Sequence, residues 1–190
     1  MRGVTYETEK RTMKKPTTRQ IRQFLQEKSQ EQLITDILFL YTKFDGVKEF
    51  MALQMGLAFS DDLLEKHRAI IEREFFPARG FGRARLSIAR KAVTDYKKVS
   101  PNILGLVDLM VFYVEMGVRF TNAYGDISEA FYTSMEGMYE NALKNIFQYE
   151  LKESFQTRCE QIVKDTRNIG WGFHDTLAEL YDETFGEEED

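Results

Sequence analysis

Apolar side chains recur every three to four residues along most of the chain, and this period predicts α-helices. No segment shows the alternation of Val, Ile and Thr that is typical of strands. The 3 prolines and 12 glycines fall mostly between the periodic segments, which favours long helices joined by short connections. We therefore expect an all-α fold of about eight or nine mostly antiparallel helices, arranged as an irregular bundle or as a short α-solenoid-like stack.

Capping signals mark where several of these helices begin. Thr17 with Gln20 and Ser29 with Gln32 form capping boxes ahead of the first two apolar segments. Further helices are predicted downstream, with a break near Tyr149–Lys152 where the apolar pattern changes phase. Their expected spans are Val47–Leu57, Ser60–Phe76, Gly82–Lys98, Pro101–Tyr124, Ile127–Gln148, Lys152–Asp165 and Phe173–Tyr181, with caps at Ser60, Ser100 and Asp126.

The segment Pro101–Tyr124 is almost entirely apolar, which predicts a central helix that is buried on most sides. Its charged residues Asp108, Glu115 and Arg119 fall on one line, and Glu115 with Arg119 has the spacing of an i,i+4 ion pair. A carboxylate-only Mg²⁺ or Ca²⁺ site could be built on Asp108 and Glu115. The arginine in the same line favours a salt-bridged stripe instead.

The chain has 190 residues, of which 43% are hydrophobic and 30% charged, and this is enough for one domain with a full core. We expect a flexible basic arm at residues 1–15, a single helical domain at 16–186 and an acidic tail at 187–190. Cys159 is the only cysteine and no signal-peptide pattern follows Met1, so we expect a cytoplasmic protein. The longest apolar run, Ile103–Val114, is too short to span a bilayer, and no membrane association is expected.

The net charge of −5 and the pI of about 5.3 disfavour general binding of nucleic acids. Positive charge is nevertheless concentrated in Pro77–Lys98, which holds seven basic residues and one acid, a local charge of +6. Arg85 would lie at the edge of the apolar side of the fifth helix and be partly buried. The residues that would share one face of that helix are Arg83, Ser87, Arg90, Thr94 and Lys97.

The turn before this helix is a candidate anion site. Free backbone N–H groups and the helix dipole favour an anion at a helix N-terminus, and Arg79 and Arg83 could close over it with bidentate geometry. The spacing is not that of a P-loop, since both Gly-Lys-Ser/Thr and a preceding strand are missing. The interpretation that we favour is internal neutralisation, either by the acidic last helix or by the central carboxylates, because Asn168–Asp190 carries eight acids and no Lys or Arg.

A second candidate is the segment Gly170–Asp175. Two glycines flank Trp171, the only tryptophan, so the backbone there either turns tightly or packs closely against a neighbour. His174 with Asp175 could supply a general base near neutral pH, but a structural role with a local hydrogen bond is the favoured interpretation. With two histidines in the chain and no pair at ligand spacing, we predict no metal site and no cofactor.

Three segments together resemble a known family: Glu74–Gly80 (EFFPARG), Phe120–Asp126 (FTNAYGD) and Ile169–Asp175 (IGWGFHD). They are similar to segments of a family of small bacterial all-helical proteins that is classed only as a domain of unknown function. The likeness runs from about Thr18 to Phe185. It implies a bacterial, cytoplasmic protein and carries over no catalytic residues.

The favoured hypothesis is a non-enzymatic interaction module that binds an acidic protein segment or a small anion through an Arg-rich face. The alternative is an enzyme that uses His174 with a nearby carboxylate and the arginines as an anion clamp. Nucleic-acid binding ranks third and would require the basic face to be free of acids. The sequence does not predict the oligomeric state. The candidate contact residues are Arg79, Arg83, Arg85, Arg90 and Trp171.

Overall fold

The computed structural model describes residues 15–55 and 60–186. Within these ranges it contains nine helices and no strand, which confirms the all-α fold class. The expected basic arm, except for Lys15, and the acidic tail lie outside the described residues. The helices are α1 (Thr18–Gln26), α2 (Gln30–Lys43), α3 (Asp45–Gln54), α4 (Ser60–Phe75), α5 (Leu86–Val99), α6 (Ile103–Tyr124), α7 (Glu129–Gln148), α8 (Lys152–Asp165) and α9 (Phe173–Phe185).

The chain divides into two compact units, at residues 1–44 and 45–190. The first unit contains α1 and α2, and the second contains α3 to α9. Both helices of the first unit begin at the predicted capping boxes, where the side chains of Thr17 and Ser29 each accept a hydrogen bond from the backbone N–H three residues further on. The single domain over residues 16–186 stays a prediction.

Helix α6 is the centre of the second unit, as its apolar sequence predicts. It packs against α4, α5, α7 and α8, and from Gly105 to Thr121 all its residues are buried except Asp108, Glu115 and Arg119. Among the described residues, every extensively packed helix pair in this unit is one or two helices apart along the chain. That order of contacts is typical of a helical stack, in which each helix pair packs on its neighbours.

The charged line of α6 is paired differently from the prediction. Arg158, on α8, donates to both carboxylate oxygens of Glu115 at 2.8 Å and to Asp108 at 2.6 Å. Arg68, on α4, donates to the other oxygen of Asp108. Arg119 lies over a phenylalanine ring instead. The expected Glu115–Arg119 pair is therefore wrong, because a guanidinium from the neighbouring helix offers bidentate geometry to the same carboxylate.

The predicted start of the fifth helix is wrong. Helix α5 begins at Leu86 rather than near Gly82, because Ala84 adopts a left-handed φ of 45°, which a right-handed helix cannot contain. As a consequence, Arg83 lies in the preceding loop and not on the predicted basic face of the helix.

The predicted caps of the next two helices are wrong as well. Asn102, and not Ser100, caps α6 by accepting a backbone N–H at 3.0 Å. Ser128, and not Asp126, caps α7 in the same way at 3.3 Å. In both places a second good capping residue follows two positions later, and the helix begins there.

His67, on α4, is a buried titratable side chain of the second unit. It is 4% exposed, and neither ring nitrogen has a hydrogen-bond partner among the described residues. Its ring meets that of Tyr96, on α5, edge to face at 5.6 Å between centroids. Burial lowers the pKa of His67 from the ordinary value of 6.5. The charge of Glu49 opposes this shift, the charge of Lys66 adds to it, and the backbone of Ala92 and the charge of Asp95 also oppose it.

Because the folded-state pKa of His67 is lowered, we expect the protein to lose stability as the pH falls below 6.5. Above that pH the histidine is uncharged in both states, and below it the unfolded chain binds a proton that the folded protein excludes. The free energy of unfolding should fall, relative to that of His67→Phe, by up to about 1.4 kcal/mol per pH unit. Urea denaturation of both proteins at about pH 7.5 and about pH 5.5 measures this effect. A difference between the two proteins that stays constant with pH would contradict it.

Candidate functional site at the end of helix α6

The three segments that carry the family resemblance meet at the C-terminal end of α6. Phe76, from the first segment, stacks on Tyr124, from the second, with ring centroids 6.2 Å apart and planes at 28°. Trp171, from the third, donates its indole N–H to the carboxylate of Asp126, which ends the second segment. Beneath them, a continuous series of aromatic contacts joins Phe75, Phe120, Phe131, Tyr132 and Phe173.

The loop between α4 and α5, residues 76–85, is fastened to the end of α4, and we call it the pinned loop. The backbone N–H of Ala84 donates to the carbonyl oxygen of Glu74 at 2.8 Å. Arg85 donates two hydrogen bonds, of 2.7 and 2.9 Å, to the buried carboxylate of the same glutamate. Gly82 lies so close that a Cβ there would be 1.8 Å from the carbonyl oxygen of Phe75. The left-handed φ of Ala84 is tolerated because these contacts fix the loop.

Phe81 lies near the tip of the pinned loop and is 82% exposed. Its ring meets that of Tyr124 edge to face, with centroids 6.1 Å apart. Tyr124 in turn packs against Phe120 at 4.8 Å. Phe81 is thus an exposed aromatic side chain that rests on an aromatic support and belongs to a fixed segment of backbone.

Arg79 and Arg83 flank Phe81 in the pinned loop, and both are exposed. Within residues 15–55 and 60–186, neither arginine takes part in an ion pair, and the same holds for Arg90 on α5. Arg85 differs, because its guanidinium is engaged by Glu74 although 52% of its side chain is exposed. Arg79 and Arg83 are therefore exposed, unpaired among the described residues and two positions from Phe81 on either side, while Arg85 is held by Glu74.

Neutralisation of the basic stretch is local in the part of the chain that the structure describes. Glu74 pairs with Arg85, and Asp95 pairs with Lys91 and Lys98. No described acid of α9 forms an ion pair with this stretch. Neutralisation by the acidic C-terminus, favoured from the sequence, is thus not found among the described residues, and the acids at 187–190 lie outside them.

Asp126 holds the exposed Trp171 in place. Its carboxylate accepts hydrogen bonds from the indole of Trp171 and from the hydroxyl of Tyr132, and these two bonds lower the pKa of Asp126. Trp171 is 65% exposed, so it does not anchor the last helix by burial. Trp171 and Gly172 have φ angles of 66° and 69°, and this part of the chain is therefore a tight turn.

A polar groove of about 380 Å³ lies beside Asp126, between the α6–α7 and α8–α9 connections. Asn122 and Asn168 lie in its wall, and of the described residues Asp126 is the only charged one that lines it. A carboxylate repels anions, so this groove does not suit the anionic ligand predicted from the sequence. Any anion would be bound on the arginine side of the α6 end. We call the exposed residues Arg79, Phe81, Arg83, Tyr124, Asp126 and Trp171 the α6-end surface.

His174 makes a local hydrogen bond. Its Nδ1 lies 2.9 Å from the hydroxyl of Thr166, and that hydroxyl donates to the backbone carbonyl of Val163 at 2.7 Å. The histidine nitrogen must therefore be the donor to the threonine oxygen. Asp175 is exposed and makes no described contact with His174, because adjacent helix positions face different directions.

The other sequence candidates for chemistry are already engaged in the fold. The carboxylates of Asp108 and Glu115 hold guanidinium groups, and within the described residues no group of three His, Cys, Asp or Glu side chains is arranged to hold a metal ion. Cys159 is buried, and burial raises the pKa of its thiol to about 12, which fits the interpretation as a small core residue.

Phe81, Tyr124 and Asp126 are the site residues that the sequence reasoning missed. A phenylalanine between two glycines, within a run of arginines, was a usable signal for Phe81. Asp126 offered no comparable signal, because its partner Trp171 lies 45 positions further along the chain.

Comparison with known proteins identifies the family. Residues 16–185 match the model of a family described as "Family of unknown function (DUF6155)", so the chain belongs to this family and the resemblance is confirmed. No curated protein and no solved structure matches the chain. Over the described residues, no helix combines the length and the hydropathy needed to cross a membrane. The bacterial origin and the cytoplasmic location stay predictions.

Replacement of Gly82 by alanine should disturb the pinned loop. The new methyl group would collide with the carbonyl of Phe75, and we expect a loss of about 1–3 kcal/mol in the free energy of unfolding. Gly137→Ala is the matched control, because α7 leaves open space at that position. It should stabilise the protein by up to about 1 kcal/mol. Urea denaturation measures both effects, and equal effects of the two substitutions would contradict the close contact at Gly82.

Proposed function

We propose that this member of the family is a non-enzymatic interaction module that binds an acidic segment of another protein through the α6-end surface. Phe81 inserts into an apolar pocket of the partner, and Arg79 and Arg83 pair with carboxylates on either side of that pocket. Tyr124 and Trp171 extend the contact at its edge. Aromatic and arginine side chains of this kind are the residues that most often dominate binding energy in protein interfaces.

The observation that best supports this function is the exposure of Phe81 on the pinned loop. Phe81 is 82% exposed in the free protein, and its burial against a partner would stabilise the complex by about 1.5–3 kcal/mol. The loop is held by Glu74 and by the close approach of Gly82, so binding requires little further ordering of the backbone. Preorganisation of this kind raises affinity because the entropic cost of association falls.

The charge distribution supports an acidic partner. The whole chain carries −5, whereas Pro77–Lys98 carries seven basic residues and one acid. A positive region on a negative protein orients acidic segments toward itself and repels them elsewhere. Because Arg79 and Arg83 are exposed to solvent, their contribution should fall as salt increases.

The enzyme alternative has no comparable support. It requires His174 to work with a carboxylate, and the described contact of this histidine is with Thr166. A small anion held by Arg79 and Arg83 remains the nearest competitor to an acidic protein segment. The two ligands differ in whether Phe81 contributes to binding, because a free phosphate offers no apolar surface that the ring could contact.

Affinity capture from a lysate of the source organism tests this function. The immobilised full chain should retain acidic proteins at low salt and lose them at moderate salt. Phe81→Ala and the double variant Arg79→Ala/Arg83→Ala should each reduce retention of the same proteins by about tenfold or more, as the loss of an interface anchor does. Retention is measured by quantitative mass spectrometry.

Two control variants match these changes. Phe147→Ala removes another exposed phenylalanine, which is 67% exposed on α7, and Lys144→Ala/Lys164→Ala removes the same amount of positive charge from α7 and α8. Both controls should retain the wild-type set. If the arginine double variant retains every protein that the wild type retains, the function is refuted. If inorganic phosphate stabilises the wild type against heat and Phe81→Ala changes nothing, the ligand is a small anion instead.

A further inference from the structure

The first unit, residues 1–44, exposes an apolar face that the proposed function does not use. No residue of α1 or α2 is buried, although both helices are defined by capping boxes and carry many large apolar side chains. Isolated helices of this length are marginal in water, so they require packing to persist. On α1 the exposed apolar residues are Ile21, Phe24 and Leu25.

The apolar face of α2 is a broad arc. At about 100° per residue, its exposed apolar residues span about 160° of the helix, and Thr35 and Thr42 lie outside this arc. Phe39 also lies outside the arc, and the ammonium of Lys43 lies 5.9 Å from its ring centroid. The residues of the arc are Ile34, Ile37, Leu38, Leu40 and Tyr41, and the arc is continued by Phe44 at the C-cap of α2.

Helix α1 does not cover this arc, because α1 and α2 are not an extensively packed pair among the described residues. It has 9 residues against 14 in α2, which corresponds to about 14 Å against about 21 Å. It also contributes only a narrow apolar stripe. The C-terminal half of the arc, which includes Leu38, Tyr41 and Phe44, needs a partner helix as long as α2.

The apolar area fits the requirement of a stable dimer. The nine large apolar side chains of the face, which do not include Phe39, are each between 40% and 58% exposed, which corresponds to roughly 900 Å² per chain. A specific interface needs about 800 Å² from each partner, whereas the largest apolar patch of an ordinary monomer is about 300–600 Å². The face is thus too large for a monomer and large enough for a dimer.

Charges of both signs flank the apolar face. Arg22 lies beside Ile21 and Leu25 of α1, and Glu31 lies in the first turn of α2. Neither of the two takes part in an ion pair within the described residues. A two-fold interface brings the same surface of both chains together, so Arg22 of one chain is available to Glu31 of the other. We infer that the apolar face of α1 and α2 binds the same face of a second copy, so that the two chains form a symmetric dimer.

Sedimentation equilibrium of the full chain at micromolar concentrations tests this inference. The wild type should have twice the mass of the 22.3 kDa chain. Ile34→Glu/Leu38→Glu places four charges in the dimer interface, two from each chain, and should weaken dimerisation by about a hundredfold or more. Phe39→Glu/Thr42→Glu adds the same charge outside the arc and should leave the dissociation constant within about threefold of the wild type.

Circular dichroism of each variant verifies that the helices of the second unit persist. A further variant, Leu38→Ala, adds no charge and should weaken the dimer by about tenfold. A wild-type monomer at these concentrations would overturn the inference. So would a dimer that survives Ile34→Glu/Leu38→Glu unchanged, because its interface would lie elsewhere. Neither result bears on the α6-end surface, whose residues all belong to the second unit.

Discussion

The burial of α6 against four other helices is the constraint on which the second unit depends. A helix buried on nearly every side must pair the charges that face its neighbours, as Asp108 and Glu115 do, because an unpaired charge in such a place costs several kcal/mol. Arg158 joins Glu115 to Asp108, and Arg68 joins Asp108 to α4. These bonds connect α4, α6 and α8, so the same interactions that satisfy the charges also fix the order of the stack.

The position of the pinned loop follows from that packing. Phe75 at the end of α4 meets Phe120 near the end of α6, and the loop beyond it is fastened back onto Glu74. The backbone of the pinned loop is therefore fixed on both sides of Phe81. A mobile loop could fold this ring back onto the protein, whereas the fixed loop keeps it exposed to water.

Local and continuous signals could be predicted from the sequence, and long-range ones could not. The capping boxes at Thr17 and Ser29 and the buried character of α6 depend on neighbouring residues or on one unbroken apolar run, and all three were confirmed. Glu115 was assigned the wrong arginine because Arg158 lies 43 positions away and only the helix packing brings it close. The start of α5 was misplaced for a similar reason, since the left-handed φ of Ala84 depends on its bond to Glu74.

The most direct test of the central claim is photo-crosslinking at position 81. A benzoylphenylalanine in place of Phe81 keeps an aromatic ring at the tip of the pinned loop and reacts with whatever the ring touches. The same residue in place of Phe147, another exposed phenylalanine, is the control. In cells of the source organism, we expect adducts with acidic proteins from position 81 that are missing from position 147 and are lost when Arg79→Ala/Arg83→Ala is added. Identical adduct patterns from the two positions, or no adducts from position 81, would contradict the assignment of the α6-end surface as a binding site.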